Sequence, residues 1–314
     1  MPPRSVPAIL RAVSGTHVGQ LAALGAASCW AVSPLAFEAA GRRMGALTLN
    51  MVRLLLAALF LAVATGIATG RPLPLGAPAD AWLWLSLSGL VGFVFGDVCL
   101  FRSILLIGPR LAMLLLSLAP PFAALLAWIV LGETLSLRDL CGMTLVVAGI
   151  AWAVLERRQP AEEGAPPVHP TATGVLLGVG GAFGQAGGLI LSKRGMGALD
   201  AIAATEMRVL AAVAGYALLF FALRWWPRLR RALADRTAIG YAAIGAFFGP
   251  VLGVTLSLVA IRNTSSGVAA SLMATTPILI IPAVVLVRRE RVGLGGVAGA
   301  AVAVAGVVLL FLWG

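Results

Sequence analysis

A chain of 314 residues that is 60% hydrophobic and only 11% charged, with a mean hydropathy of +1.00, carries more apolar surface than a water-soluble core buries. Its net charge of +11 would point to nucleic acid in a soluble protein. Here the basic residues stand singly or in short clusters between apolar runs, with no aromatic-interleaved platform, so nucleic acid is excluded and phospholipid headgroups are the expected partner.

A helix that spans a bilayer takes about 20 consecutive apolar residues, and only helices and closed barrels satisfy their backbone there. The runs in this chain are continuous and rich in Leu, Ala, Val and Gly rather than alternating, so they predict helices and not barrel strands. Arg4 and Arg11 followed by LAALGAASC have the outline of a signal peptide, even of a lipoprotein signal with Cys29 as acceptor. The apolar run continues through Trp30 to Ala40, however, and predicts an uncleaved first span. In chain order the first half gives spans over Val18–Ala40, Ala46–Thr69, Ala81–Phe101, Leu111–Leu131 and Leu140–Leu155. The stretch ERRQPAEEGAPPVHPTAT, residues 156–173, has the prolines and mixed charges of a linker. The second half gives Gly174–Leu191, Ile202–Leu223, Ala238–Ile261, Gly267–Val287 and Val292–Trp313. The predicted fold is an all-α integral membrane protein of ten transmembrane helices, in five-helix units over 18–155 and 174–313, set in the cell membrane (the inner membrane in a bacterium).

The two units repeat. A shift of 157 positions lays Ala112 on Ala269, Pro120 on Pro277 and Glu133 on Glu290, within MLLLSLAPPFAALLAWIVLGE and ASLMATTPILIIPAVVLVRRE. A shift of 155 lays Arg53 on Arg208, and a shift of 153 lays Phe95 and Gly96 on Phe248 and Gly249. A duplicated unit with an odd number of spans re-enters the membrane from the opposite side, so the halves are expected to be inverted repeats with the site near the midplane. Glycines four apart, at Gly92 and Gly96, Gly180 and Gly184, Gly245, Gly249 and Gly253, and Gly295 and Gly299, predict close helix contacts. Cys29, Cys99 and Cys141 lie in separate apolar runs without a CxxC or histidine partner, so they read as small packing residues and not as metal or disulfide sites.

An ionisable side chain within a span costs roughly 2.5–3.5 kcal/mol on insertion scales, so each needs a reason. Arg53 has Asn50 three residues before it, and Arg208 has Thr205, the same polar-x-x-Arg spacing on one helical face. Each arginine reads either as a clamp for a carboxylate or phosphate or as a structural group satisfied by carbonyls or headgroups. Asp97 would be matched by Pro250 under the shift of 153, and reads as a carboxylate that couples transport to protons or as the fixed partner of Arg53 or Arg102. Glu206 lies nearly opposite Arg208 on its helix and must find another partner or face the cavity; Glu38 reads as interfacial, and Glu133 and Glu290 as structural helix-end acids. Ser117, Thr275 and Thr276 precede the matched prolines, where hydroxyls line a cavity or bond back to their own helix. Trp30, Ser33, Gln185 and Phe248 complete the candidate lining. Pro34, Pro120, Pro250 and Pro277 would free backbone carbonyls within spans, as hinges or as static kinks.

The proline-to-acid helix, the arginine in the second span of each half, the segment APPFAALLAWIVLGE and the five-plus-five layout together resemble the EamA family of the drug/metabolite transporter superfamily. That resemblance covers both units and implies a carrier of small metabolites, with a cavity built from spans one to four and six to nine. Related members export amino acids and other metabolites or exchange nucleotide sugars and sugar phosphates. It also implies cytoplasmic termini, whereas the basic residues cluster on the opposite side, at Arg224, Arg228, Arg230, Arg231 and Arg236 above all, and the positive-inside rule then puts the termini outside.

No GxxxxGK[ST] loop is present, so direct ATP drive has no support, and no cofactor is expected. His17 and His169 fall outside the spans and there is no HExxH, which counts against a membrane enzyme. The expectation is a secondary permease that moves a small polar solute by alternating access, with efflux of amino acids or related compounds first. Uptake or exchange of a phosphorylated or drug-like solute is second, and a non-transporting scaffold the rival. Proton antiport, exchange and facilitated flow all fit, as does any oligomeric state.

Overall fold

The computed structural model describes residues 8–70, 72–74, 76–131, 137–155, 171–197, 199–263, 272–273, 275–288 and 293–312, and among these it contains no strand. Glu133, Glu290 and most of the predicted linker lie outside the described residues. The first half runs α1 (Ala8–Met44), α2 (Ala46–Thr69), α3 (Ala79–Gly89), a π-helical segment (Leu90–Gly96), α4 (Asp97–Leu116), α5 (Ala119–Leu131) and α6 (Leu137–Leu155). The second runs α7 (Ala172–Met196), α8 (Ala201–Ala222), α9 (Trp226–Ala234), α10 (Arg236–Ala246), a second π-helical segment (Phe247–Gly253), α11 (Val254–Asn263), α12 (Thr276–Arg288) and α13 (Leu294–Leu312). Among the described residues six stretches are long and apolar enough to cross a bilayer: His17–Met44, Ala46–Ile67, Ala79–Leu116, Ala172–Met196, Ala201–Ala222 and Arg236–Ala260. The apolar stretches Leu140–Trp152, Ile278–Val287 and Leu294–Leu309 are shorter.

Several boundaries differ from the sequence pattern. The third span does not stop at Phe101 but stays helical to Ile107, where Gly108 (φ 80, ψ 161) turns the chain and Pro109 opens the next segment. Only glycine adopts that φ without strain, and proline suits a first helical position because the N–H it lacks has no partner there. Arg102 therefore stands on an exposed face inside the span, and Arg110 is buried in the first turn after the bend. The fourth span breaks at Ser117 and Leu118, whose amides bond three residues back to Leu114 and Leu115 at 3.0 Å each. Pro120 then sits in the first turn of α5 and Pro277 in the first turn of α12, so the matched prolines begin helices instead of kinking them. Pro34 lies within the unbroken α1, and Pro250 within the second π-helical segment.

The π-helical segments fix the true register of the repeat. Leu90 and Phe247 begin them and Gly96 and Gly253 end them, each pair 157 positions apart. The shift of 153 that pairs Phe95 and Gly96 with Phe248 and Gly249 matches like letters about one turn out of step. In the structural register Asp97 answers to Val254, and Pro250 to Phe93.

Helices in lipid gain little from hiding apolar surface from one another, so small residues that let backbones approach dominate their contacts. Against the first π-helical segment lies α7: a Cβ on Gly184 would fall 2.5 Å from Gly96 Cα, and one on Gly188 3.0 Å from Gly92 Cα. Against the second lies α1, but here side chains fill the glycine surface, Trp30 on Gly253, Ser33 and Phe37 on Gly249, and Phe37 on Gly245. Helices α6 and α13 pack chiefly on each other, Gly149 against Ala303 and, 157 positions later, Gly306 against Val146.

The sequence pattern missed α9, reading it as a basic cluster after span seven. Leu229 and Ala232 are buried on its inner face, while Arg228, Arg230 and Arg231 are exposed. Trp225 Nε1 donates to Thr48 Oγ1 at 3.3 Å, beneath the Arg228 guanidinium at 3.8 Å from its ring centroid. Asp235 accepts from Arg43 Nε at 2.8 Å and from the Ala238 amide at 3.0 Å, so it caps α10 and clasps it to the end of α1.

A methyl at Gly184 must displace backbone, and Gly184→Ala is expected to lower stability by about 1–3 kcal/mol in detergent unfolding. Gly240→Ala is the control, because nothing lies within 4 Å of its Cβ position and the helix gains propensity. The Arg43 bond, then the Ala238 amide, hold the Asp235 carboxyl below its ordinary pKa. A depressed carboxylate stabilises above its unfolded pKa and loses that contribution as pH falls through the folded one. The protection factor of the Ala238 amide against hydrogen exchange should accordingly fall as pH drops below the ordinary carboxylate range, and Asp235→Ala should show the reduced protection already at neutral pH.

Candidate functional site

The first π-helical segment, LVGFVFG, adds a residue to one turn of the third span and puts the Phe93 and Val94 carbonyls within reach of Tyr216 on α8. The buried Tyr216 hydroxyl faces both, at 3.1 Å from Phe93 O and 3.3 Å from Val94 O. With the segment tied in this way, Phe93 is buried and Asp97 becomes the first residue of α4.

Arg53 is the eighth residue of α2 and Arg208 the eighth of α8, each about 10 Å from its helix start at 1.5 Å per residue. Both guanidinia converge on Phe93, at 5.9 Å and 4.7 Å from the ring centroid. Arg53 has polar partners at two of its nitrogens and aromatic rings around it. Its Nε donates to Asn50 Oδ1 at 2.8 Å, its Nη2 pairs with Asp97 Oδ2, and the rings of Phe37 and Phe101 lie 5.4 Å and 4.7 Å away. Asp97 completes its own set through Gln185 of α7, whose Nε2 donates to Oδ1 at 2.8 Å. Of the two cations within sequence reach, the partner of Asp97 is Arg53 and not Arg102. Among the described residues this is the one ion pair with both side chains buried, at 4% and 5% exposure.

The second repeat does not reproduce that arrangement. Thr205 does not serve Arg208 as Asn50 serves Arg53, because its hydroxyl bonds back to Ala201 O at 2.8 Å. Glu206 faces α2, where Thr65 Oγ1 donates to Oε2 at 2.8 Å, while Oε1 has no hydrogen-bond partner. Thr275 and Thr276 likewise bond back, to Leu272 O and Met273 O at 2.7 Å each, and Ser117 is buried at the break in span four. Trp30 and Ser33 pack on the glycines of the second π-helical segment, and Phe248 stacks edge to face with Phe247 at 5.5 Å. Of the residues singled out from sequence, the structure thus joins Asn50, Arg53, Asp97 and Gln185 in one hydrogen-bonded chain, with Arg208 sharing the Phe93 ring with Arg53.

Phe37, Phe93, Phe101 and Tyr216 were missed by sequence reading, for aromatic residues in an apolar run carry no signal until a cation is placed beside them. Ser88 and Ser192 were missed too: their hydroxyls lie 2.7 Å apart between α3 and α7, each within reach of Gly188 O, so one donates to that carbonyl and the other to the carbonyl or to its neighbour. The described residues hold no cluster of metal-ligating groups. What the site can do chemically is hold opposite charges in a low-dielectric interior, where each depends on the other and on the polar groups around it.

Breaking a buried pair leaves an uncompensated charge. Arg53→Gln and Asp97→Asn should each destabilise the protein by about 3–5 kcal/mol, and the double variant by less than their sum. A double-mutant cycle by chemical unfolding checks this.

The EamA-like transporter family model matches the chain twice, over residues 17–155 and 172–312. No curated protein matches it. A solved crystal structure of 20% sequence identity covers 96% of this chain and 97% of its own, with a TM-score of 0.63, a likeness of fold alone. With two matches that leave only the ends and the middle linker unclaimed, this multi-pass membrane protein belongs to the EamA-like transporter family.

Proposed function

We propose that the protein is a ten-helix secondary transporter, with the two units inverted about the membrane midplane, that carries a small polar metabolite by alternating access. Export of amino acids or related compounds is the activity put forward, without a cofactor and without chemistry on the solute. The observation that carries the reading is the buried Arg53–Asp97 pair, bridged to the other half by Gln185. A structural protein has no need of a charged pair at that depth, whereas a carrier needs groups that exchange partners with a solute. The breaks at Ser117–Leu118 and before α12 support the same reading, since discontinuous helices beside a midplane site are a recurring feature of transporters.

Two functional consequences follow for Asp97. As the fixed partner of Arg53 it would hold the two halves in one state; freed from Arg53 when a solute arrives, it would take up a proton and return it on the other side. The test uses purified protein in proteoliposomes loaded with labelled amino acids. Wild type is expected to release them, and Gln185→Leu, which removes a single hydrogen bond to a charged group, to slow release about tenfold or more while remaining folded. Faster release under an imposed pH gradient identifies proton antiport, and dependence on external amino acid identifies exchange. Folded wild type that releases no solute, or full flux in Gln185→Leu, overturns the reading.

A further inference from the structure

The two arginines related by the repeat differ in one respect that the rest of the fold does not explain. Arg53 has Asp97. In the register set by the π-helical segments, the second repeat has Val254 where the first has Asp97, so Arg208 has no carboxylate of its own. Arg208 is only 5% exposed, its Nε makes no hydrogen bond, and among the described residues no carboxylate lies within 4.0 Å of it. Asp97, the acid nearest in the site, is engaged by Arg53 and Gln185, and Glu206 faces Thr65 on the other side of the helix.

The surroundings of the Arg208 guanidinium bring it an aromatic ring and a glycine but no anion. Phe93 offers the face of its ring at 4.7 Å, and the residue beside Nη2 is Gly92, where even a methyl would come within 3.4 Å of that nitrogen. A structural arginine in a membrane saturates its five donors with carbonyls or reaches the headgroups. This one does neither, at the eighth position of a 22-residue helix.

We infer that Arg208 holds the negatively charged group of the transported solute, and that this group is a single carboxylate. The inference rests on the transporter reading above and gives it a substrate class. Two guanidinia and one carboxylate leave one positive charge in the cluster, and a lone buried charge is costly. A monoanionic group neutralises it, whereas a phosphate dianion would leave the opposite excess. Arg208 is then the recognition group, and the Arg53–Asp97 pair beside it is the one that the arriving charge loosens.

The experiment has two arms on detergent-purified protein. In the first, the melting temperature is taken without solute. A recognition arginine is held at the expense of stability, so Arg208→Gln is expected to melt about 2–4 °C above wild type, while Arg53→Gln melts below it. In the second, L-leucine, L-phenylalanine and lactate are compared at millimolar concentration with leucinamide, phenylalaninamide and lactamide. The carboxylates should raise the wild-type melting temperature, the amides should not, and Arg208→Gln should respond to none. A melting temperature of Arg208→Gln below wild type, stabilisation by the amides, or no shift by any of the carboxylates overturns the assignment. Proteoliposome flux separates this from the transporter reading. Carriage of an amide or a cation with Arg208→Gln unimpaired removes the carboxylate assignment alone, whereas carboxylate binding without flux of any solute keeps the anion site and removes the carrier.

Discussion

The structure depends on keeping Arg53 and Asp97 together in a place where neither survives alone. Desolvating each ion costs several kcal/mol, and their attraction offsets that only when the remaining donors and acceptors are also satisfied. Asn50 takes the Arg53 Nε, Gln185 takes the second Asp97 oxygen, and three phenylalanine rings lie around the guanidinium. These groups come from α1, α2, the π-helical turn, α4 and α7, so satisfying one ion pair fixes five elements relative to one another and ties the first half to the second.

That demand explains the glycine-rich contact of α7 with the third span. Gln185 reaches Asp97 only if the two backbones nearly touch, and Gly184, Gly188, Gly92 and Gly96 provide that approach. It also gives the π-helical turn a purpose. The extra residue sets Phe93 and Asp97 on the inner face, and Tyr216 anchors the carbonyls at its centre. The second π-helical segment keeps the geometry but is packed by Trp30, Ser33 and Phe37, side chains where α7 has glycine. The repeat therefore supplies a symmetrical frame within which the chemistry is placed unequally.

One arginine is paired with a carboxylate and the other is not; on the proposal above, that inequality is what lets a solute bind in one orientation. The α9 helix adds a further asymmetry, since the second half alone carries a folded cationic segment between its second and third spans, clasped through Asp235 and Trp225 to the start of the first half.

The sequence by itself determined the class and the duplication, and left Asp97 with either Arg53 or Arg102 as its partner. Charges are so costly in hydrocarbon that the few present have few explanations, and continuous apolar runs leave no structure but helices. It also placed Asn50 and Gln185 near the site, because polar side chains in such runs are rare. Tertiary structure decided the rest. The shift of 153 failed because letter matching is blind to which residue faces inward, and the π-helical turns set that register. Thr205, Thr275 and Thr276 bond to their own helices instead of lining the site, a choice that depends on local carbonyl geometry and not on residue type. Whether Arg208 stands alone could be seen only once Val254, Glu206 and Asp97 had positions, for the charge balance of a buried cluster belongs to the packed molecule and not to any single helix.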